Sequence, residues 1–429
     1  MREIRKKKSK DMEMLDDLRL LPDDILAFEI FVRLSVMDVI RCMFVCKQWY
    51  SLIKTPQFIS AHLSCSSFSS STSQPSMFVY HFCFNKRRRL LSSHCDPQSF
   101  NDYHEIPYPF PLHSFFTILG PIHGLFCLFN DGDDVPTRDR LYCLWNPSVR
   151  RYTRLPLPTF SDKIKLIARG FGFDCKNKDY KAVVLVYFSM GKDGFCDTPD
   201  CQVVSLKQRS WRTLVAPQET KCHSVSGNGL FVNGALHWVA KKNRDEDPFF
   251  NFVLAFDIAN ETFKKMELPQ ELLRGSHRYS ILEAKGSLAC FDYHKDVDDL
   301  IPGPPGFNGY SIWVMKEYGM ANSWIQMCTF APMEKLLWVY GFWGNGDEIL
   351  IKKEGYSGRN RLFLYDTKTQ GSKDFGGGAE PDISRIYAYT ESLVLLDEES
   401  GAVSYERPRI IYQSSLHVDE EKANKGDDD

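Results

Sequence analysis

LPDDILAFEIFVRLSVMDVIRCMFVCKQWYSLIKTPQFISAHL, residues Leu21–Leu63, is the stretch on which the reading of the whole chain turns. Pro22 suits the first position of a helix, where its fixed φ is already right and its missing N–H would have no partner. Asp23 and Asp24 follow in the first turn, against the positive end of the helix dipole. Ile25, Leu26, Phe28, Ile30, Phe31, Val32 and Leu34 exceed what a one-sided amphipathic helix needs, so two faces want cover. A second helix is expected to begin at Ser35, whose hydroxyl can cap it, with Asp38 at capping-box spacing. Val39, Ile40, Met43 and Phe44 recur at helical spacing; Val45–Trp49 then lead to Leu52, Ile53 and a stop at Thr55-Pro56. Three helices in about 35 residues fall below the size at which a core alone stabilises a domain. The surplus apolar surface must go to a neighbour or a partner.

Composition bounds the rest. The 429 residues are 43% hydrophobic and 25% charged, ordinary globular values with room for two or three domains. An aromatic share of 14% suggests a β-rich body. A net charge of −2 argues against a broad electrostatic grip on nucleic acid. No apolar run reaches the roughly 18 residues of a membrane span, and the basic start MREIRKKKSKDMEM lacks the apolar centre of a secretory signal. Arg5–Lys8 reads as part of a solvated tail, with a nuclear signal as the alternative. The cysteines, 13 in all and set in apolar segments, fit small core residues in a reducing compartment. Cys42 and Cys46, one helical turn apart, lack His or Cys companions and read as packing. Cys196 and Cys201 flank a loop and are the next candidates for metal or disulfide chemistry, a plain loop being favoured.

Past the head, Ser64–Ser76 is serine-dominated and has linker composition. Met77–Phe84 is a β-like run ended by the basic cluster Asn85–Arg89, which reads as a charged hairpin turn or, alternatively, a contact for acids or nucleic acid. From about Gly120 a crude unit repeats: a strand opened by glycine, a strand ending in Asp or Asn-Pro, a turn and a third strand. Val232–Trp238, Phe252–Asp257 and Thr262–Pro269 form the clearest copy, and Glu391–Leu396 with Ala402–Tyr405 a last, incomplete one. The opening glycines, 124, 170, 234, 286 and 346, recur about every 50–60 residues, the scale of propeller blades. Six or seven irregular blades are expected, with Met77–Phe84 completing a blade begun near the C-terminus; an irregular β-sandwich is the alternative.

Two resemblances sharpen this. LPDDIL…RLSVMDVIRCMFVCKQWYSLI resembles a plant F-box, ungapped from Leu34 to Ile53, with Ser35 where that family has Pro. ILAFEIFV holds one residue more than the family spacing. One residue turns a helix by about 100°, so a π-bulge or a shifted start is expected near Ala27–Phe28. GLFCL…LWNPSVRRYTRLP…ARGFGFDCKNKDYKAVVLVYF…VNGALHWVA…VLAFDIANETFKKMELP resembles the F-box-associated, kelch-like domain of plant F-box proteins, with His123 where relatives carry Asn or Asp. The S-locus F-box proteins share this architecture. The expected fold is α+β multidomain: a small three-helix F-box, then an all-β propeller-like domain. The expected divisions are a disordered basic N-terminus (1–17), the F-box (18–63), a Ser-rich linker (64–76), the β-domain (77–413) and a disordered acidic tail (414–429).

The resemblance implies the substrate-recognition subunit of a Skp–cullin–F-box ubiquitin ligase, cytoplasmic or nuclear. The F-box would dock on a Skp-type adaptor, reaching cullin and the RING subunit indirectly, while the β-domain holds an unidentified protein substrate. The candidate docking residues are Leu21, Pro22, Ile30, Leu34, Val36, Val39, Ile40, Val45, Cys46, Trp49, Leu52 and Ile53; some must form the module's own core, and the sequence does not divide them. An S-locus-like role would imply a secreted-type ribonuclease as target. The alternatives are an F-box module acting with the adaptor outside a ligase, and a ligand- or glycan-binding propeller. No G-x-S-x-G, phosphate-loop, dinucleotide or H-E-x-x-H motif occurs, so no catalytic residue, cofactor, metal, nucleic acid or membrane is expected. His123, His223 and His237 read as structural. Asp174, Asp257 and Asp366 recur at strand ends, where a carboxylate can accept from turn amides. Trp145, Trp211, Trp238, Trp313 and Trp324 read as blade core. The loops Asn130–Arg140, Met190–Pro199, Lys241–Pro248 and Asp296–Asn308 are substrate-contact candidates by length and polarity.

Overall fold

The extra residue of the first helix is absorbed where its spacing places it: Leu26–Ile30 is a turn of π-helix, followed directly by a 3₁₀ turn, Phe31–Arg33. The computed structural model describes residues 25–69, 76–83, 88–94, 102–109, 116–130, 140–158, 164–188, 199–215, 222, 224–225, 227–241, 251–273, 278–293, 310–330, 336–344, 346–354, 360–376, 382–395, 401–402 and 410–412. Helix α1 (Val36–Cys42) starts as the sequence predicts: Ser35 Oγ accepts from the Asp38 amide at 3.2 Å and donates to the Asp38 carboxylate at 2.8 Å. Helix α2 (Lys47–Ile53) is capped by Cys46, whose Sγ accepts from the Trp49 amide. The pair Thr55-Pro56 ends α2 but also opens α3 (Pro56–Ser69). Thr55 Oγ1 accepts from the Phe58 amide at 3.3 Å, and Pro56 takes the first helical position. Because α3 runs to Ser69, the first part of the serine-rich segment is helical rather than linker. Phe31 meets Trp49 edge-on at 4.7 Å, and His62 Nε2 lies 2.9 Å from the Leu34 carbonyl, tying α3 back to the end of the first helix.

Six antiparallel sheets follow, so the open blade number settles at six and the sandwich alternative falls. Blade 2 holds Thr117–Ile122, Leu125–Asn130, Leu141–Asn146 and Arg151–Leu155. Blade 3 holds Ile164–Asp174, Asp179–Phe188, Asp200–Ser205 and Trp211–Val215. Blade 4 is built on Leu230–Val232, Ala235–Lys241, Asn251–Asp257 and Thr262–Glu267, and blade 5 on Arg278–Ala284, Ser287–Tyr293, Tyr310–Met315 and Trp324–Phe330. Blade 6 holds Leu336–Trp343, Glu348–Glu354, Asn360–Asp366 and Ser372–Gly376. Blade 1 joins both ends of the domain. Ser76–Cys83, Arg88–His94 and Asp102–Ile106 are completed on the inside by Asp382–Tyr389, with Ser76 opposite Tyr389 and Phe82 opposite Asp382. The early strand thus does finish a blade begun near the C-terminus. Two short late strands edge the outside: Gly401–Ala402 on blade 2 and Ile410–Tyr412 on blade 1. Of Glu391–Leu396, which the sequence reads as a strand of a last copy, the described residues 391–395 are not strand. Leu393, Val394 and Leu395 are buried core residues beyond the closing strand.

The repeated turns have a common chemistry. The pairs His123-Gly124, Asn233-Gly234 and Lys285-Gly286 all have positive φ at both residues and join the first and second strands of blades 2, 4 and 5. These glycines therefore sit inside a blade's first hairpin, and the strand before each one belongs to the same blade. Gly170 differs. It lies within the inner strand of blade 3, where a Cβ would come within 2.5 Å of Leu236 and 2.9 Å of Trp238, so it allows blade 4 to approach. Asp174 Oδ1 accepts from the amides of Lys176 and Asn177, Asp257 from Ala259 and Asn260, and Asp366 from Lys368 and Thr369. The recurring aspartates are turn caps. Trp145, Trp238, Trp313 and Trp324 are buried; Trp211 is half-buried, and its N–H donates to the Pro156 carbonyl at 2.7 Å, linking blade 3 to blade 2.

Further polar contacts fasten the blades together. Asn146 is fully buried and donates to the carbonyls of Ser392 at 3.0 Å and Val394 at 2.8 Å, binding blade 2 to the chain just after the closing strand. Lys181 of blade 3 is also buried, 2.7 Å from the Asp174 carboxylate and 2.8 Å from that of Glu261 in blade 4. Burial pushes the Asp174 carboxyl up, but hydrogen bonds from Lys181 and Asn177 outweigh it and hold the group at about 2. Asn146→Ala leaves two buried carbonyls short of a donor. It should cost about 2–3 kcal/mol by denaturant unfolding, well above the effect of Asn260→Ala in an exposed turn; equal effects would contradict the fastening role. Asp174 is lowered on folding, so its contribution is complete above its unfolded value and disappears as pH falls through about 4 toward about 2. It amounts to roughly 2 kcal/mol at neutral pH. Melting curves should show Asp174→Asn less stable at pH 7 and less acid-sensitive between pH 4 and pH 2 than the parent.

Candidate functional site

Burial divides the apolar residues of the helical module. Of the docking candidates, Val36, Val39, Trp49 and Ile53 are buried in the module's own core, packed with Phe31 and Phe58. Their place at helix-facing positions makes them framework, the share of the set expected to form the module's own core. Ile30, Leu34, Ile40 and Leu52 are half-buried against that core, and Val45 and Cys46 are exposed. Leu21 and Pro22 lie outside the described residues.

The side chains most open to solvent are ones the candidate set missed. Phe44 is 86% exposed and stands with Val45 (52% exposed) in the turn between α1 and α2. Ile25, Phe28, Met37 and Tyr50 are exposed as well. The signal was present in the helical spacing: Met37 and Phe44 are seven residues apart, which helical periodicity sets on one side, while Val36, Val39 and Met43 follow the other, although Phe44 itself lies just past the end of α1. Periodicity shows two apolar faces without saying which one is covered. The covered face belongs to a cluster of buried side chains that continues into Leu393–Leu395 and the core of blades 2 and 3. One face is thus covered within the chain and the other left bare, in a rim of ion pairs such as Arg41–Asp38 at 2.7 Å.

The propeller has two unlike ends. In blades 2 to 5, the connections from first to second strand and from third to fourth are short turns, apart from the one after Met315; those from second to third strand are long. Antiparallel pairing puts the short turns at one end of the ring and the long connections at the other. The four substrate-contact candidates fall in these long connections in the sequence; beyond their flanking residues they lie outside the described residues. Ser76, where the helical module enters the ring, pairs with Tyr389 at the short-turn end.

The ring encloses a channel cavity of about 500 Å³, lined by the inner strands and by His237 and Glu283. His237 is occupied: Nδ1 lies 3.2 Å from the Leu230 carbonyl and Nε2 2.8 Å from the Tyr318 hydroxyl, and burial lowers it to about 4. Glu283 accepts from the Gly286 amide in its own turn at 2.6 Å. His123, in its left-handed turn, meets the Tyr180 hydroxyl at 3.1 Å. His223 and Cys196 lie outside the described residues, and Cys201 is a buried free thiol. Among the described residues no group of three or more His, Cys, Asp or Glu is placed to hold a metal, and no helix is long and apolar enough to cross a membrane.

Comparison with known proteins agrees with this division. Residues 18–60 match the F-box domain, and residues 79–383 match the F-box associated beta propeller domain. An Arabidopsis thaliana F-box protein is 27% identical over 71% of this chain and 73% of its own length. The Arabidopsis F-box protein CPR1 is 26% identical over 72% of each chain, and an Arabidopsis F-box/kelch-repeat protein is 26% identical over 79% of this chain and 85% of its own. Among solved structures, TolB from Acinetobacter baumannii aligns at a TM-score of 0.42 and 12% identity, over 77% of this chain and 72% of that one. With the propeller match spanning most of the sequence and the F-box match directly before it, the chain belongs to the F-box-associated β-propeller family of F-box proteins.

Proposed function

We propose that this protein is the substrate-recognition subunit of a Skp–cullin–F-box ubiquitin ligase. The observation that carries the reading is the bare apolar face of the F-box, centred on Phe44 and Val45, left uncovered although the opposite face packs within the chain. A contiguous exposed apolar surface on a small domain marks a protein interface. The occupant the family implies is a Skp-type adaptor, through which cullin and its RING subunit are reached. The propeller then presents a target protein, and the chain acts by proximity, raising the target's effective concentration near a charged ubiquitin-conjugating enzyme. Such a subunit works in the cytoplasm or nucleus. The pollen self-incompatibility role draws on resemblance alone and is not carried forward.

Phe44 and Val45 can be changed without opening the core. The double variant Phe44→Glu, Val45→Glu should lose at least tenfold in capture of a Skp-type adaptor while its melting temperature stays within a few degrees of the parent. Unchanged capture by the folded variant would remove the docking assignment. Probing the same captures for cullin separates the ligase from an F-box and adaptor pair with another role: adaptor without cullin favours the latter.

A further inference from the structure

A second, smaller cavity of about 250 Å³ adjoins the channel between blades 1 and 2. Its lining includes Tyr80, Arg89, Thr117, Asn228, Ser384 and Arg385. Arg385 and Asn228 line both cavities, so their contact stands between the two. With its amide oxygen turned toward the guanidinium, Asn228 accepts from Arg385 Nη2 at 3.2 Å and donates to the Gly227 carbonyl at 3.3 Å. Arg385 belongs to the closing strand of blade 1 and Asn228 bridges to Arg169 of blade 3, so the arginine reaches across the channel. It is exposed, and no carboxylate among the described residues pairs with it. Arg89 is fixed beside it, donating to Ser384 and lying over the Tyr80 ring.

Among the described residues two guanidinium groups and no acid line this cavity, in a chain whose overall charge is −2. Arg89 also ends the basic run Asn85–Arg89 that the sequence singles out, and it stands at the start of its strand, toward the long-connection end. We infer that this mouth of the channel, at Arg385, binds an acidic side chain of the recruited protein, a carboxylate or a phosphate. Guanidinium presents a planar fork to either group. The volume is below the usual range for a whole small-molecule ligand and suits one side chain of a longer segment. A cation confined to one cavity, rather than spread along a stripe, does not suit a nucleic-acid backbone. The identity of the bound group as part of a ligase target rests on the function proposed above; the anion site itself does not.

The test uses the full chain co-purified with a Skp-type adaptor and an array of alanine–glycine decapeptides carrying one central Glu, phosphoserine or Gln, with a twelve-residue oligothymidylate as a fourth probe. Capture of the Glu or phosphoserine peptides should exceed capture of Gln at least tenfold and fall as salt rises; the stronger of the two identifies the natural group. Arg385→Ala should abolish the selectivity. Asn228→Asp, which sets a carboxylate against the same guanidinium with little change in shape, should abolish it too. Arg385→Lys should retain part of it. Equal capture of Gln, selectivity unmoved in folded Arg385→Ala and Asn228→Asp, or stronger capture of the oligonucleotide would each overturn the inference. Adaptor capture by the same preparations reads the ligase assignment separately: peptides without selectivity on an adaptor-bound chain sink the anion site alone.

Discussion

Pairing of Ser76–Cys83 with Asp382–Tyr389 is the contact on which the domain depends. Without it blade 1 has no inner strand and the ring has two open edges. Bringing together residues about 300 positions apart costs about 5 kcal/mol of closure entropy on the (3/2)RT ln n scale, and the junction is built to exceed that. Phe78 stacks on Tyr389 with centroids 4.0 Å apart, and Phe126 of blade 2 stacks on the same ring at 5.7 Å. The Tyr389 hydroxyl reaches Asn146 Oδ1 at 3.2 Å, while Asn146 holds the carbonyls that follow. One tyrosine and one asparagine therefore join the last strand, the first strand and blade 2. Closure requires both ends of the domain, so it belongs late in folding.

A closed ring of short antiparallel blades gives two ends of opposite character. The end with short turns is rigid and holds the helical module through apolar contacts that continue from Leu393–Leu395 into blades 2 and 3. Long connections leave from the other end, toward which Arg89 stands, with Arg385 midway along the inner strand of blade 1. The proposed adaptor face and the proposed anion site thus lie on different parts of one frame. Charged pairs also join neighbouring blades, Lys181 of blade 3 with Glu261 of blade 4 and Lys285 of blade 5 with Asp347 of blade 6.

Much of this architecture was legible in the sequence because local chemistry declares itself. The cap at Ser35, the π turn at Leu26–Ile30 and the aspartate turns each depend on a few adjacent residues. Blade count was not legible. The inner strand Thr117–Ile122 contains Gly120-Pro121 and faces the channel, so it lacks the apolar alternation that marks a half-buried strand. The glycine repeat also mixed two roles, positive-φ turns at 124, 234 and 286 and close approach at 170. The docking face was only half legible. Val36 and Met37 are adjacent and both apolar, yet one is buried and the other exposed, and only the packing of the helices on one another decides which. Arg385 carried no sequence signal, since most of its surroundings come from residues 157 to 305 positions away.

The two proposed surfaces rest on different physics, and the difference bears on how such a receptor can work. An apolar face such as that around Phe44 is covered by burial, which salt strengthens slightly or leaves alone. A guanidinium at a channel mouth attracts its partner through charge, which salt screens over about 8–10 Å. Adaptor binding can therefore be long-lived while the target exchanges. The exposed mouth gives a target charge a way in, and the neutral Asn228 opposite Arg385 holds the guanidinium in place without cancelling it. A carboxylate at that position would fix the arginine more firmly and remove its attraction for anything else. Positioning by an amide keeps the charge available, which is the physical requirement for a site that must accept and release an acidic group.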